Sequence, residues 1–237
     1  MIDPAQSPSW RLNLDRATPA SQGIEDARDI WQQPERVVEA LGLCAGARVA
    51  DLGAGTGYFI PHLVRALALR AFAAPVGDKA CDKVGGARVP VETSCPAAPG
   101  SPAGCPGGTI WAVDRAPFAS WLRGALSENA RRFVEVVDGD VHELELPSSA
   151  NAHAILACNL FHQLHDPVAA LNSWRRWLAP GARVVIVDFF DRNLPVGPAR
   201  SELVGEWVVL DALREAKYRV AERQALPYQY LISATTA

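Results

Sequence analysis

Apolar and polar positions along the chain follow two periods, one helical and one strand-like. From Ile24 to Leu43 the apolar residues Val37, Val38, Leu41 and Leu43 recur at helical spacing, with Pro34 suited to a first turn. A short apolar run, Val49, Ala50 and Leu52, then meets a glycine cluster and passes into the helical pattern IPHLVRALALRAF. The reading there is strand, tight turn, helix. Thr109 to Val113 is a second apolar segment; it ends in Asp114 and is followed by the helical APFASWLRGAL, which repeats the alternation. Further apolar segments at Phe133 to Val137, His153 to Cys158 and Ala182 to Phe189 are separated by polar turns and by the helical run VAALNSWRRWLAPG. A helix over about Glu202 to Lys217 precedes RVAERQAL and PYQYLISA, two strand-like segments with Pro227 at their bend. The predicted architecture is a three-layer, doubly wound α/β fold. Its seven-stranded sheet is mostly parallel and carries an antiparallel C-terminal edge hairpin.

Residues 74–108 break this order, being rich in Gly, Pro and Ala with almost no apolar periodicity, and read as an inserted flexible loop. The domain organisation that follows is an N-terminal extension over 1–30 and one α/β domain over 31–237 that carries the insertion. Hydrophobic residues make up 49% of the chain and charged residues 21%, a balance that supports a packed core. The net charge of −3 provides no overall positive field, so a small-molecule or protein substrate is favoured over nucleic acid; the Arg175–Arg176 pair reads as a solvated helix face. No apolar run is long enough to span a bilayer, and the N-terminal stretch has no targeting pattern, so a cytoplasmic location is expected. The cysteines, Cys44, Cys81, Cys95, Cys105 and Cys158, are odd in number and lack CxxC spacing, which argues against a full disulfide framework and against a metal site. Nothing in the sequence sets the oligomeric state.

The chemistry concentrates in Asp51-Leu52-Gly53-Ala54-Gly55-Thr56-Gly57-Tyr58, between a predicted strand and a predicted helix. Alternating glycines permit positive φ and let backbone approach a ligand at the strand's carboxyl end. A nicotinamide dinucleotide fingerprint would need GxGxxG, but Tyr58 follows Gly57, and Asp51 would repel a diphosphate while suiting a cationic amino acid. VADLGAGTGYF resembles motif I of class I S-adenosylmethionine-dependent methyltransferases, and Asp114 at the end of IWAVD resembles their second-strand acid. The resemblance continues through VVDGDVHELELP and through ILACNLFHQLHDPVAALNSWRRWLAPGARVVIVDF. It implies S-adenosylmethionine as cofactor, with Asp114 accepting from the ribose hydroxyls, Asp140 contacting the adenine amino group and Val141 beside the ring. The candidate cofactor-binding residues are then Asp51, Gly53, Ala54, Gly55, Gly57, Tyr58, Asp114, Arg115, Asp140 and Val141. Two departures from the family pattern are Ala182, where a PGG turn has its second glycine, and His153-Ala154, where an acid often opens the fourth strand.

His162, in NLFHQLHDP just beyond the fourth strand, is the candidate general base, since an unperturbed imidazole pKa near ~6.5 suits proton removal around neutral pH. The alternative is a capping or packing histidine. Asn159 either binds substrate or satisfies the strand end. His165 reads as capping a loop with Asp166. Tyr58, Trp31, Tyr228 and Tyr230 either wall an aromatic pocket or belong to the core. The expected activity is methyl transfer to an unidentified, small-molecule acceptor. The alternatives are a cofactor-binding protein of the same fold without turnover and an NAD(P)-dependent oxidoreductase.

Overall fold

The structure is a computed structural model that describes residues 28–73, 108–147 and 150–236. Its helices are α1 (Arg28–Gln32), α2 (Pro34–Ala40), α3 (Ile60–Ala73), α4 (Phe118–Ala125), α5 (Pro167–Arg175) and α6 (Glu206–Glu215). Its strands are β1 (Arg48–Leu52), β2 (Thr109–Asp114), β3 (Val134–Asp138), β4 (Ala152–Cys158), β5 (Leu178–Phe189), β6 (Tyr218–Ala225) and β7 (Gln229–Thr236). They form a seven-stranded sheet in the order β3-β2-β1-β4-β5-β7-β6. All pairings from β3 to β5 are parallel, and β7 is antiparallel to both β5 and β6. The terminal hairpin is thus present, with β6 as the edge and β7 inserted beside β5.

The central strands β1, β2 and β4 are buried along almost their whole length, because helices cover both faces of a parallel sheet. One face packs Ala50, Leu52, Ile155, Val184 and Ile186 beneath α5 and α6. The other packs Val49, Leu156, Val185 and Val187 beneath α2 and α3. The edge strand β6 is mostly exposed and carries Arg219, Glu222 and Arg223, charges that discourage a further strand from pairing. The strand order reverses between β1 and β4, so the crevice beyond their carboxyl ends is the switch point where this architecture receives ligands.

The helix expected over Ile24 to Leu43 is two helices. Pro34 does open a helical turn, but the residue before a proline is disfavoured in the helical region, and Gln33 adopts φ 50° between α1 and α2. Arg28 to Ile30, on the extension side of the expected boundary at 31, lie in α1. Residues 74–107 of the insertion, with Cys81, Cys95 and Cys105, lie outside the described residues. Cys44 is disulfide-bonded and Cys158 is a free thiol. Arg175 is not a solvated charge: it stacks 4.4 Å above Tyr218 and donates to the carbonyl of Ala216, tying α5 to the end of α6. His153 occupies the start of β4 usefully, its Nδ1 accepting the Arg48 N–H at 3.0 Å.

Candidate cofactor and acceptor site

The glycine turn is held from β2. Gly53 and Ala54 donate their N–H groups to the Val113 carbonyl at 2.9 and 3.1 Å, and Gly55 donates to Asp114 Oδ2 at 2.7 Å. Gly53, Gly55 and Gly57 all have positive φ, at 68°, 54° and 77°. The φ of 77° is what favours glycine at Gly57; a Cβ there would also lie 2.7 Å from Leu122 Cδ1 of α4 and make that side chain shift, and a Cβ on Gly53 would press on Leu160 at 3.1 Å. Asp114 does not cap α4, whose N-cap is Pro117. Its Oδ1 instead accepts the Arg115 N–H at 2.8 Å. Burial raises the Asp114 carboxyl above the usual range, and the two backbone donors oppose that rise.

Asp51, at the penultimate position of β1, is 3% exposed, and its Oδ2 has no hydrogen-bond partner among the described residues. Burial, with the Asp114 carboxylate next in size, pushes its pKa up to about 7; the Arg28 guanidinium works in the opposite direction. A buried acceptor left without a donor is costly unless a ligand supplies one. Arg28 also lies 3.8 Å above the Tyr58 ring, whose hydroxyl donates to Asp29 Oδ1 at 2.6 Å.

Along the neighbouring loop, Asp140 Oδ1 accepts from His142 N and meets His142 Nδ1, each at 2.9 Å, and Arg115 approaches its other oxygen at 3.8 Å. The His142 backbone bond is the main reason that the Asp140 carboxyl titrates below its ordinary value. Val141 is fixed by Trp174, whose indole N–H donates to its carbonyl at 2.6 Å. His165 does not cap: its ring stacks on His142 at 3.9 Å, while Asp166 alone caps α5 by accepting the Ala169 N–H.

Beyond β4 the chain turns at Asn159, with φ 55°, its N–H on the Val187 carbonyl and its Oδ1 accepting from Gln229 Nε2. His162 follows, with its side chain 4% exposed. Its Nδ1 lies 2.8 Å from Asp188 Oδ1, and its backbone N–H donates to Asp188 Oδ2 at 2.9 Å. Asp188, on β5, is fully buried. An ionised carboxylate can only accept, so the Nδ1 proton points to Asp188 and Nε2 is turned away from it.

A family model described as a methyltransferase domain matches residues 25–229. The chain belongs to that family. The methyltransferase also shares its fold with solved structures. A SAM-dependent methyltransferase from Aquifex aeolicus aligns over 94% of this chain and 100% of its own, at 22% identity and TM-score 0.68. The pyocyanin biosynthetic protein PhzM aligns over 97% of this chain and 62% of its own, at 18% identity and TM-score 0.59. Human N-acetylserotonin methyltransferase in complex with SAM aligns over 92% of this chain and 55% of its own, at 14% identity and TM-score 0.58. No curated protein sequence matches the chain.

The methyltransferase is thus an S-adenosylmethionine-dependent enzyme of the class I, Rossmann-like fold. Its residues fit that cofactor: among the described residues Asp51 Oδ2 is buried without a hydrogen-bond partner, beside a turn whose three glycines all take positive φ. The sequence reading missed Asp188, whose signal was a lone carboxylate ending the apolar run VVIVD. It also missed Gln32 and Gln229, both fully buried, and Arg28. The four aromatic candidates do not form one wall. Trp31 meets Phe189 at 6.0 Å and Tyr228 at 6.1 Å, Tyr230 is buried beside Phe190, and Tyr58 stands with Arg28. Among the described residues no group of side chains could hold a metal ion, and no helix is long and apolar enough to cross a membrane.

Proposed function

We propose that this methyltransferase methylates an oxygen, nitrogen or sulfur of a small-molecule acceptor, with His162 removing the nucleophile's proton and Asp188 positioning the imidazole. The buried Asp188–His162 pair carries the reading. One carboxylate accepts two hydrogen bonds, from the ring and from the backbone of the same histidine, and so fixes both its tautomer and its orientation. Asp188 is compensated by three donors, two of them from His162, so the pair is an ordered unit at the carboxyl end of β4 and β5. When bound, S-adenosylmethionine supplies a methyl carbon activated by positive sulfur, and the protein's work is alignment, proton removal and exclusion of water. Asp51, Gly53, Ala54, Gly55, Gly57 and Tyr58 form the amino-acid end of the cofactor site. Asp114 and Arg115 serve the ribose, and Asp140 with Val141 serves the adenine. Asn159, its side-chain oxygen held by Gln229, presents its amide to the acceptor beside His162.

A small acceptor is supported by the net charge and by fold neighbours whose names carry small molecules, N-acetylserotonin and pyocyanin. A cytoplasmic location belongs to the same reading, and the disulfide at Cys44 is the observation that weighs against it. The test is an acceptor screen over phenols, amines, thiols and carboxylic acids, read as S-adenosylhomocysteine release, followed by His162→Gln on any acceptor found. The variant should lose about 100- to 10,000-fold in kcat with cofactor affinity unchanged. An undiminished kcat removes His162 from the chemistry.

A further inference from the structure

We propose that Arg28 binds the carboxylate of S-adenosylmethionine, so that the cofactor's amino-acid end is held as a zwitterion between Arg28 and Asp51. This rests on the reading of Asp51 as the partner of the ammonium. Arg28 is tied to the end of β4 and to the glycine turn that follows β1. Its Nε donates to Gln32 Oε1 at 2.5 Å; Gln32 is fully buried, and its own amide donates to Cys158 Sγ, at the end of β4, at 2.8 Å. On the other side the guanidinium lies flat on Tyr58, the residue that leaves the glycine turn. Asp51 is on the strand that leads into this turn, paired with β4 on one side and β2 on the other. The guanidinium is near enough for its charge to act on the Asp51 carboxyl.

Charge balance makes the assignment specific. The acids around this end of the sheet are Asp51, Asp114 and Asp140, with Asp29 on the Tyr58 hydroxyl, a set that welcomes an ammonium and a sulfonium but repels the carboxylate on the same ligand. Arg115 stands with Asp140, on the adenine side. Among the described residues Arg28 is the cation beside the glycine turn, and a planar guanidinium held in place by stacking presents the fork of donors that a carboxylate matches. The α1–α2 break at Gln33 lets a five-residue helix carry this group onto the glycine turn independently of α2.

Calorimetric titration of the full chain with three ligands tests the assignment: S-adenosylhomocysteine, decarboxylated S-adenosylmethionine, which keeps the ammonium, and methylthioadenosine, which has neither group. Arg28→Met should weaken S-adenosylhomocysteine about 10- to 100-fold and leave the other two unchanged, with Arg28→Lys falling between. Equal losses for all three ligands would mean that Arg28 only holds α1 in place, and no loss for any would mean that it has no part; either overturns the proposal. Asp51→Asn should weaken both ligands that carry the ammonium and spare methylthioadenosine. If it spares all three, the Asp51 reading fails, while the carboxylate contrast at Arg28 is judged on its own ligand pair.

Discussion

The two halves of the crevice are built on opposite plans. On the β1–β2 side, side chains and backbone come from short contiguous segments, and the central carboxylate, Asp51, is buried with an oxygen unpartnered and its pKa pushed up to about 7. On the β4–β5 side the central carboxylate, Asp188, is buried more completely, yet it accepts from His162 N, His162 Nδ1 and Phe189 N. The first half leaves a buried carboxyl oxygen without a donor among the described residues, with the Arg28 charge acting against the rise of its pKa. The second is complete before any acceptor binds. The difference fits two tasks: one half must gain free energy when it takes up a charged ligand, while the other must hold a ring still.

The largest way to break this comparison is Asp188→Asn. An amide cannot accept at both positions, so the tautomer and orientation of His162 are no longer fixed, and kcat should fall about 100-fold or more. Cofactor affinity and acceptor KM should stay within about threefold, because Asp188 acts through His162 and not on either ligand. A parallel rise in KM with no fall in kcat would recast the pair as part of acceptor binding.

This asymmetry also explains what could be read from the sequence. On the first side, Asp51 and the glycine turn stood out because strand, acid and turn lie within a few residues and all three glycines take positive φ; Asp114 stood out at the end of its own apolar strand, but its bond to the Gly55 N–H, 59 positions away, was not visible in the sequence. The dyad was half legible. His162 stood out by residue type, but its partner lies 26 positions away, across the β4–β5 pairing, and only the sheet register joins them. Gln32 and Cys158 are 126 positions apart, and no local pattern announces such a contact. The helix period over Ile24 to Leu43 was correct, but it did not reveal the break at Gln33, because apolar spacing alone carries through a single left-handed residue.

A smaller effect, opposite in sign on stability and on binding, is expected from Asp51→Asn. The folded pKa of Asp51 lies above its ordinary value of 3.8, so the fold favours the neutral acid: that contribution is present at low pH and is lost as pH rises from about 4 through about 7. A shift of this size corresponds to at most about 4 kcal/mol at pH 8. The cofactor-free variant should therefore melt roughly 5–10 °C higher than the wild type at pH 8, with the gain shrinking towards pH 4, while its affinity for S-adenosylhomocysteine falls. Thermal melts across that pH range read the sign directly. A variant that melts lower at pH 8 would show that Asp51 already has a stabilising partner in the empty enzyme.

The smallest effect concerns the contact between α1 and the glycine turn. Tyr58→Phe removes the 2.6 Å hydrogen bond to Asp29 but keeps the ring on which Arg28 lies. Burial and the Asp29 bond both hold the Tyr58 phenol above its ordinary pKa, so the hydroxyl is a lasting donor, and its loss should cost about 0.5–1.5 kcal/mol of α1 docking. Hydrogen exchange over residues 28–32 should quicken accordingly. Cofactor affinity should drop less than about threefold, because the stacked guanidinium keeps its platform. If instead Tyr58→Phe weakens S-adenosylhomocysteine as much as Arg28→Met does, the hydrogen bond that seats α1 governs the cofactor half, and the charge on Arg28 matters only after α1 is seated.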